Sequence, residues 1–466
     1  MDIPETIEAQ RSFFLSGATL RRGFREAMLR RLLDALDIYE DELYAALWKD
    51  LHKSRQEAYL TETGIVRSEI RTHLRQLRSW MKPERHLPSA AVAPSGAKVM
   101  CEPLGCALII APWNYPVQLL LNPLVGAISA GCTAVLKTSP AVPTVAAVLE
   151  KLVSDTFPPE YVAVFGGHRD VNTELLSQKF DIIFFTGSPS TGRVVMEAAA
   201  RQLTPVVLEL GGKSPCIVDA GADIRTAARK IAWGKSLNAG QTCIAPDYLM
   251  IHSSRREEFV EEFGRALDRL YGPDLQACGH YSRMVSTEAF DRVKSYIDSS
   301  EVLYGGRCCR DSLFIEPALV VPSGPDAPVM QEEIFGPVLP LLEFSSLGDA
   351  REFIVSRPSP LALYYFGPSE QASGTDHTLR RHVYQRHHNA YCRRQRAFRR
   401  HRGIRHGLLP RQGQLPRILA QEDGAGVPET ARPAFQVPSL QVFRAYKENP
   451  RLTRPGLRRP ATPGLR

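Results

Sequence analysis

Phe180–Ala200, FDIIFFTGSPSTGRVVMEAAA, holds the pattern that decides the fold. Phe180 to Thr186 reads as an apolar strand, Gly187-Ser188-Pro189-Ser190-Thr191-Gly192 as a turn, and Arg193 to Ala200 as a helix. Around it, further short apolar strands run from Ala107 to Ile110, Ala134 to Leu136, Val162 to Phe165 and Val206 to Leu208, separated by helical or Pro-containing stretches. That alternation implies an α/β fold with a largely parallel, doubly wound sheet. After Gly211 the pattern repeats, with a strand at Ile217 and Val218, a helix from Ile224 to Leu237, a strand from Tyr248 to His252 and a long amphipathic helix from Arg255 to Leu270. A second doubly wound α/β domain is expected there, giving units at 1–210 and 211–370. Upstream, Leu29, Leu32, Leu33 and Leu36, then Leu43, Leu47 and Leu51, recur at helical spacing, so Met1 to Pro83 reads as helical. No internal repeat of fixed period is present.

Length and composition fit this reading. The chain has 466 residues, enough for two or three domains, and 44% apolar with 23% charged residues is ordinary for a globular protein. Nine cysteines, an odd number in a long chain, argue against a secreted disulfide framework and for a reducing compartment. Most of them, Cys101, Cys106, Cys132, Cys216, Cys278, Cys308 and Cys309, read as small buried hydrophobes. The N-terminus has the features of neither a signal nor a transit peptide, so the expected location is cytoplasmic. Cys106 to Leu136 is apolar, but Pro112, Asn114, Pro116, Asn122 and Pro123 interrupt it, so no membrane span is expected. The net charge of +8 is uneven: His377 to Arg466 carries 19 Arg and one Lys against four acids, whereas the first 376 residues are net acidic.

The turn at Gly187-Ser188 offers free N–H groups at a helix N-terminus to a phosphate, although an ordinary capped turn would look the same. No strand ends in G-x-G-x-x-G, so a standard dinucleotide site is not signalled. The stronger signal is a set of four motifs: Pro112-Trp113-Asn114, Glu209-Leu210-Gly211-Gly212-Lys213, Gly240-Gln241-Thr242-Cys243 and Glu332-Glu333-Ile334-Phe335-Gly336-Pro337. Their order, spacing and identity resemble the aldehyde dehydrogenase superfamily. Gln241-Thr242-Cys243-Ile244-Ala245-Pro246-Asp247-Tyr248 and the short N-terminal region look like its class 3, fatty aldehyde dehydrogenase-like branch. The resemblance runs from about residue 5 to about residue 370. It implies NAD(P)-dependent oxidation of a medium- or long-chain aliphatic or aromatic aldehyde to the carboxylic acid, in a homodimer when the family member is intact, with no metal.

Each residue has a chemical reason. Hydride leaves readily only from a tetrahedral carbon bearing an oxyanion, and a thiolate is a suitable nucleophile to make one. Cys243 fits, because it follows a Gly- and Asn-containing loop rather than sitting in an apolar periodic segment. The resemblance gives the oxyanion to the Asn114 side-chain amide and the Cys243 backbone N–H. Hydrolysis of the resulting thioester needs a general base, for which Glu209 fits, with partial burial at a strand end expected to raise its pKa. For the cofactor, NAD or NADP, the resemblance assigns Lys137 to an adenosine-ribose hydroxyl and Ser188, in the turn with Gly187, to a phosphate. Glu333 goes to the nicotinamide ribose and Phe335 to packing beside the nicotinamide. The family's usual Lys-Pro-Ser-Glu reads Lys137-Thr138-Ser139-Pro140, so its ribose-holding Glu is missing and NADP use becomes more plausible.

Past Leu361-Ala362-Leu363-Tyr364 the match stops and an Arg/His/Gln/Pro-rich tract begins. As a functional element it would be a basic nucleic-acid tail on an inactive dehydrogenase scaffold, but aromatic residues are sparse and no RNA or DNA motif is present, so no nucleic acid is expected. The genetic code offers another explanation. Read one base further on, the codons for Tyr384 to Tyr391 permit Ile-Asn-Asp-Thr-Ile-Met-His-Ile, and those for Ala397 to Gly407 permit Pro-Phe-Gly-Gly-Ile-Gly-Ala-Ser-Gly-Met-Gly. Both strings resemble the family's C-terminal motifs, in the right order. The reading is a frame shift between about Glu370 and Thr378 that disrupts the C-terminal part, leaves residues 371–466 as an aberrant, disordered basic tail, and puts dimerisation and any membrane anchor of the true C-terminus in doubt.

Overall fold

The computed structural model describes residues 2–86 and 96–368, together with the backbone of 384–386. Its N-terminal part is helical: α1 (Ile3–Leu15), α2 (Arg22–Ile38), α3 (Glu40–Leu51), α4 (Arg55–Ala58) and α5 (Gly64–Trp80), with a π-turn at Tyr59–Thr63 between the last two. Leu29, Leu32 and Leu36 of α2 and Leu43, Leu47 and Leu51 of α3 are all buried, as their spacing requires. A short antiparallel pair follows, β1 (Glu84–His86) and β2 (Ala97–Val99).

The first large sheet is built from β3 (Cys106–Ile110), α6 (Pro116–Ala130), β4 (Thr133–Lys137), α7 (Pro143–Thr156), β5 (Val162–Phe165), α8 (Arg169–Ser177), β6 (Ile182–Gly187), α9 (Pro189–Ala200) and β7 (Val206–Leu210). Its strands run in the order β5-β4-β3-β6-β7, all parallel. β3 and β4 are buried at every position, which is why they read as unbroken apolar runs. One face packs on α2, α3, α5, α6 and α7; the other packs on α1, α8 and α9. The chain moves outward from β3 through β4 and β5, then crosses to β6 on the other side. The sheet therefore has a switch point at β3 and β6, and a crevice outside the carboxyl ends of these strands is where such sheets bind ligands.

The second sheet comprises β8 (Pro215–Val218), α10 (Ile224–Ser236), β9 (Tyr248–His252), α11 (Arg256–Tyr271), α12 (Thr287–Asp298), β10 (Glu301–Tyr304), the small hairpin β11 (Cys308–Cys309) and β12 (Phe314–Ile315), β13 (Ala318–Val321), α13 (Pro328–Gln331), β14 (Val338–Phe344), α14 (Leu347–Val355), β15 (Leu363–Phe366) and β16 (Tyr384–Arg386). Its order is β10-β13-β14-β9-β8-β15-β16, with β10 antiparallel and the rest parallel. Helices cover both faces, α10 and α11 on one and α12 and α14 on the other.

The expectation for the cysteines needs correction. Cys106, Cys132 and Cys216 are buried, but Cys101 is exposed and Cys278, Cys308 and Cys309 are half-buried, because they lie in loops and a surface hairpin rather than in sheet strands. The tail, expected to be disordered, lies outside the described residues except for β16, which is a strand. Three residues of parallel pairing against β15 use only backbone N–H and C=O groups, which an open sheet edge offers to almost any sequence.

Candidate active site

Asn114 lies in the loop after β3, just before Pro116 opens α6 at its first position. The side chain is buried, and its Nδ2 donates to the Gln241 carbonyl at 3.0 Å, two residues before Cys243. Its Oδ1 has no hydrogen-bond partner. The Asn114 carbonyl accepts from Lys53 Nζ at 3.0 Å and from Asn238 Nδ2 at 2.9 Å. Lys53 is fully buried, pairs with the equally buried Glu62 at 2.7 Å, and sits 4.4 Å from the centre of the Tyr115 ring. Glu62 also accepts from the Gln118 N–H at 2.9 Å, so a buried ion pair ties the start of α6 to the N-terminal helices. Burial raises the Glu62 pKa and the Lys53 ammonium opposes that shift.

The loop carrying Cys243 is strained. Asn238, Ala239 and Gly240 have φ of 52°, 50° and 72°, three left-handed residues in succession. A non-glycine residue held there costs about 1–3 kcal/mol and persists only when its surroundings enforce it. Here they do. Glu57 accepts from the Asn238 N–H at 2.7 Å and from Ser282 Oγ at 3.2 Å, and burial pushes its carboxyl up to about 7. Gln241 Nε2 donates to the Asn238 and Arg283 carbonyls, and its Oε1 accepts from the Val285 N–H. Gly240 is required: a Cβ there would come within 2.3 Å of the Gly336 carbonyl oxygen. Cys243 follows, half-buried, in a turn closed by the Ala245 N–H and the Thr242 carbonyl at 2.9 Å, while Thr242 Oγ1 meets the Tyr115 hydroxyl at 2.5 Å.

The Glu333 loop closes against both. Phe335 is left-handed, φ 48°, and its ring stands edge-on to Trp113 with centroids 5.3 Å apart. Lys213 Nζ donates to Asp247 and to the Val329 and Glu332 carbonyls, and Asp247 Oδ1 accepts from the Ile334 N–H at 2.9 Å. This clamp presses Glu333 against Gly211, where a Cβ would lie 1.9 Å from Glu333 Oε2. Burial, reinforced by Asp247, pushes the Glu333 carboxyl up to about 8. Its Oε1 is buried with no partner, an open acceptor that suits a hydroxyl donor such as a ribose.

The remaining expected residues line the carboxyl ends of the first sheet. Ser188 caps α9, accepting from the Thr191 N–H at 3.3 Å, with Pro189 at the first helical position, so the helix presents its free N–H groups there. Gly187 ends β6, and a Cβ there would lie 2.5 Å from the Phe185 ring. Lys137 ends β4 with its Nζ donating to the Thr138 and Gly167 carbonyls, each at 2.7 Å; burial lowers its pKa. Glu209 differs from expectation. It stands at the end of β7 as an exposed side chain, because β7 is the edge strand of its sheet, and the argument from burial falls away.

The structure thus brings Asn114, the Cys243 loop, Trp113, Phe335 and the Gly211–Glu333 contact into one connected region. Lys53, Glu57, Glu62, Lys213 and Asp247, which hold that region, were not identified from sequence as functional. If Asn114 is an oxyanion donor, Asn114→Ala should lower kcat about 10²- to 10³-fold. The Gln241 carbonyl keeps a donor in Asn238 Nδ2 at 3.2 Å, so the loop should survive the change. Steady-state kinetics would oppose the role if only KM moved.

An aldehyde dehydrogenase family model matches residues 1–370. The chain is 42% identical over 373 residues to human aldehyde dehydrogenase family 3 member B1, covering 79% of this chain and 78% of that protein. It is 39% identical over 369 residues to the dimeric NADP-preferring aldehyde dehydrogenase of Rattus norvegicus, covering 79% and 82%. Among solved structures, the substrate-bound state of Staphylococcus aureus AldH matches with a TM-score of 0.78 at 40% identity, covering 80% of this chain and 82% of that one.

Proposed function

The chain belongs to the aldehyde dehydrogenase family, and on that premise we propose how its own residues carry out the reaction. The activity is NAD(P)-dependent oxidation of an aldehyde to the carboxylic acid. We assign Cys243 as nucleophile, Asn114 as oxyanion donor and Glu209 as the base that activates water. The observation that carries the assignment is the 3.0 Å bond from Asn114 to the Gln241 carbonyl, which sets a side-chain amide against the loop that bears the thiol.

In this reading Cys243 Sγ, as thiolate, adds to the aldehyde carbon, and the Asn114 Nδ2–H and the Cys243 backbone N–H bind the oxygen as it takes up charge. When bound, the nicotinamide accepts the hydride that the resulting tetrahedral thiohemiacetal expels. Glu333 Oε1 would accept from the nicotinamide ribose, Phe335 and Trp113 would form an apolar wall beside the ring, and Lys137, Gly187 and Ser188 would hold the adenosine and phosphate end. The product on the protein is a thioester at Cys243. Glu209 then takes a proton from water as it attacks the acyl carbon, releasing the carboxylate and the thiolate. An exposed Glu209 has ready access to that water.

The substrates we propose are medium- or long-chain aliphatic or aromatic aldehydes. A homodimer is proposed for the intact family member and a cytoplasmic location for this chain. Among the described residues no helix is long and apolar enough to cross a membrane.

Glu209→Gln separates the two half-reactions. Rapid mixing of this variant with aldehyde and cofactor should give a burst of NAD(P)H, about one per site, followed by a slow steady rate, because acylation proceeds and deacylation stalls. Equal burst and steady rates would remove Glu209 from the role.

A further inference from the structure

Pro140 stands where the family motif has its ribose-binding glutamate, yet the end of β4 does not lack a carboxylate. Glu150, two turns into α7, reaches over to it. Its Oε1 accepts from Thr138 Oγ1 at 3.1 Å, and Thr138 directly follows Lys137. On the other side the carboxylate lies over Gly166, just past the end of β5. A Cβ on Gly166 would be 2.5 Å from Glu150 Oε1 and 3.4 Å from Oε2, so the carboxylate lies directly against that glycine and a side chain there would push it aside. Gly167, the next residue, supplies the carbonyl that fixes Lys137 Nζ. Glu150 is half-buried and is the carboxylate felt most strongly by the Lys137 ammonium, ahead of Asp170.

We propose that Glu150, held by Thr138 beside Lys137, sets the cofactor preference of this enzyme by accepting from the free 2′-hydroxyl of NAD and repelling the 2′-phosphate of NADP. The inference rests on the assignment of Lys137 to the adenosine ribose. Its logic follows from the sheet: in doubly wound dinucleotide sites an acidic side chain near the end of the strand next to the switch point takes the ribose hydroxyls, and a 2′-phosphate needs a cation there instead. β4 is that neighbouring strand. Here the acid comes from the following helix rather than from the strand-end loop. Thr138 supplies the hydroxyl that anchors it, a group that the usual proline of the motif lacks. With the motif's glutamate lost, Glu150 still leaves a carboxylate beside Lys137 to weigh against a 2′-phosphate.

Binding of adenosine fragments tests this without turnover. Calorimetric titration of 5′-AMP and of adenosine 2′,5′-bisphosphate into the full-length protein should show the 5′-AMP bound at least about tenfold more tightly. Glu150→Gln keeps the side-chain shape and removes the charge, and it should cut that ratio by about tenfold, mainly through tighter bisphosphate binding. Thr138→Val, which frees the carboxylate without neutralising it, should move the ratio the same way by less. If both variants keep the parent ratio, Glu150 does not select the cofactor, although the site stands where it was placed. If 5′-AMP fails to compete with NAD in the parent, the adenosine end does not lie at Lys137, and both readings fall together.

Discussion

Cys243→Ser should abolish aldehyde oxidation, with a loss in kcat on the order of 10⁴- to 10⁶-fold, while NAD and NADP still bind. The size follows from chemistry. A neutral hydroxyl is a far weaker nucleophile than a thiolate, and without the covalent adduct the hydride has no oxyanion-bearing carbon to leave. The confinement of the effect follows from structure. Cys243 is half-buried in a turn whose geometry is set by others: Glu57 on the Asn238 N–H, Gln241 on the Asn238 and Arg283 carbonyls, and Gly240 against Gly336. None of these contacts uses the sulfur, and exchanging sulfur for oxygen changes little volume. Cofactor titration by fluorescence therefore checks that the site persists, and single-turnover mixing checks that no NAD(P)H forms. Turnover within about tenfold of the parent would show that Cys243 is not the nucleophile.

Sequence made the site legible where chemistry and local conformation coincide. Gly240-Gln241-Thr242-Cys243 announces itself because a glycine must sit at positive φ against another backbone and a thiol must follow it. The strands β3 and β4 were legible for the same kind of reason, since burial on both faces leaves unbroken apolar runs. What holds Asn114 was not. Lys53 and Glu62 are nine residues apart, and that spacing does not mark them as a pair. The π-turn at Tyr59–Thr63 accounts for the miss. It inserts a residue into the helical repeat, so that both Glu57 and Glu62 turn inward, and Gly64 makes room by passing within 2.5 Å, at its absent Cβ, of the Tyr59 carbonyl oxygen. No periodicity of 3.6 reveals such a turn. Glu209 shows the opposite error. A carboxylate at the end of an apolar strand suggested burial, but burial depends on whether another strand lies alongside, and β7 is at the edge.

If the tail is a product of a frame shift, restoring the reading frame should raise activity more than any other single change. A one-base shift between about residues 370 and 378 would make Tyr384–Tyr391 read Ile-Asn-Asp-Thr-Ile-Met-His-Ile. The chain as written places a strand there too: β16 pairs with β15 over Leu363↔Tyr384, Tyr364↔Gln385 and Tyr365↔Arg386. Backbone pairing is thus available at that edge in either frame, but what the side chains contribute differs. Over the three paired positions the restored frame would read Ile-Asn-Asp in place of Tyr-Gln-Arg, no more apolar; its gain is Ile and Met at positions 388 and 389, where the chain as written has His388 and Asn389. Native stability is only about 5–15 kcal/mol, and each large apolar side chain missing from a core costs about 2–5 kcal/mol, so the loss of a few such residues is enough to exhaust it. An incompletely covered sheet edge is also a site for association with other chains. Expressed side by side, the frame-restored chain should exceed the chain as written in soluble yield, run as a dimer by light scattering, and show aldehyde-dependent NAD(P)H formation at least about a hundredfold faster, the factor set by an added unfolding penalty of a few kcal/mol. A soluble dimer with comparable turnover from the chain as written would show that the residues after 370 are dispensable and that the tail is no accident of frame.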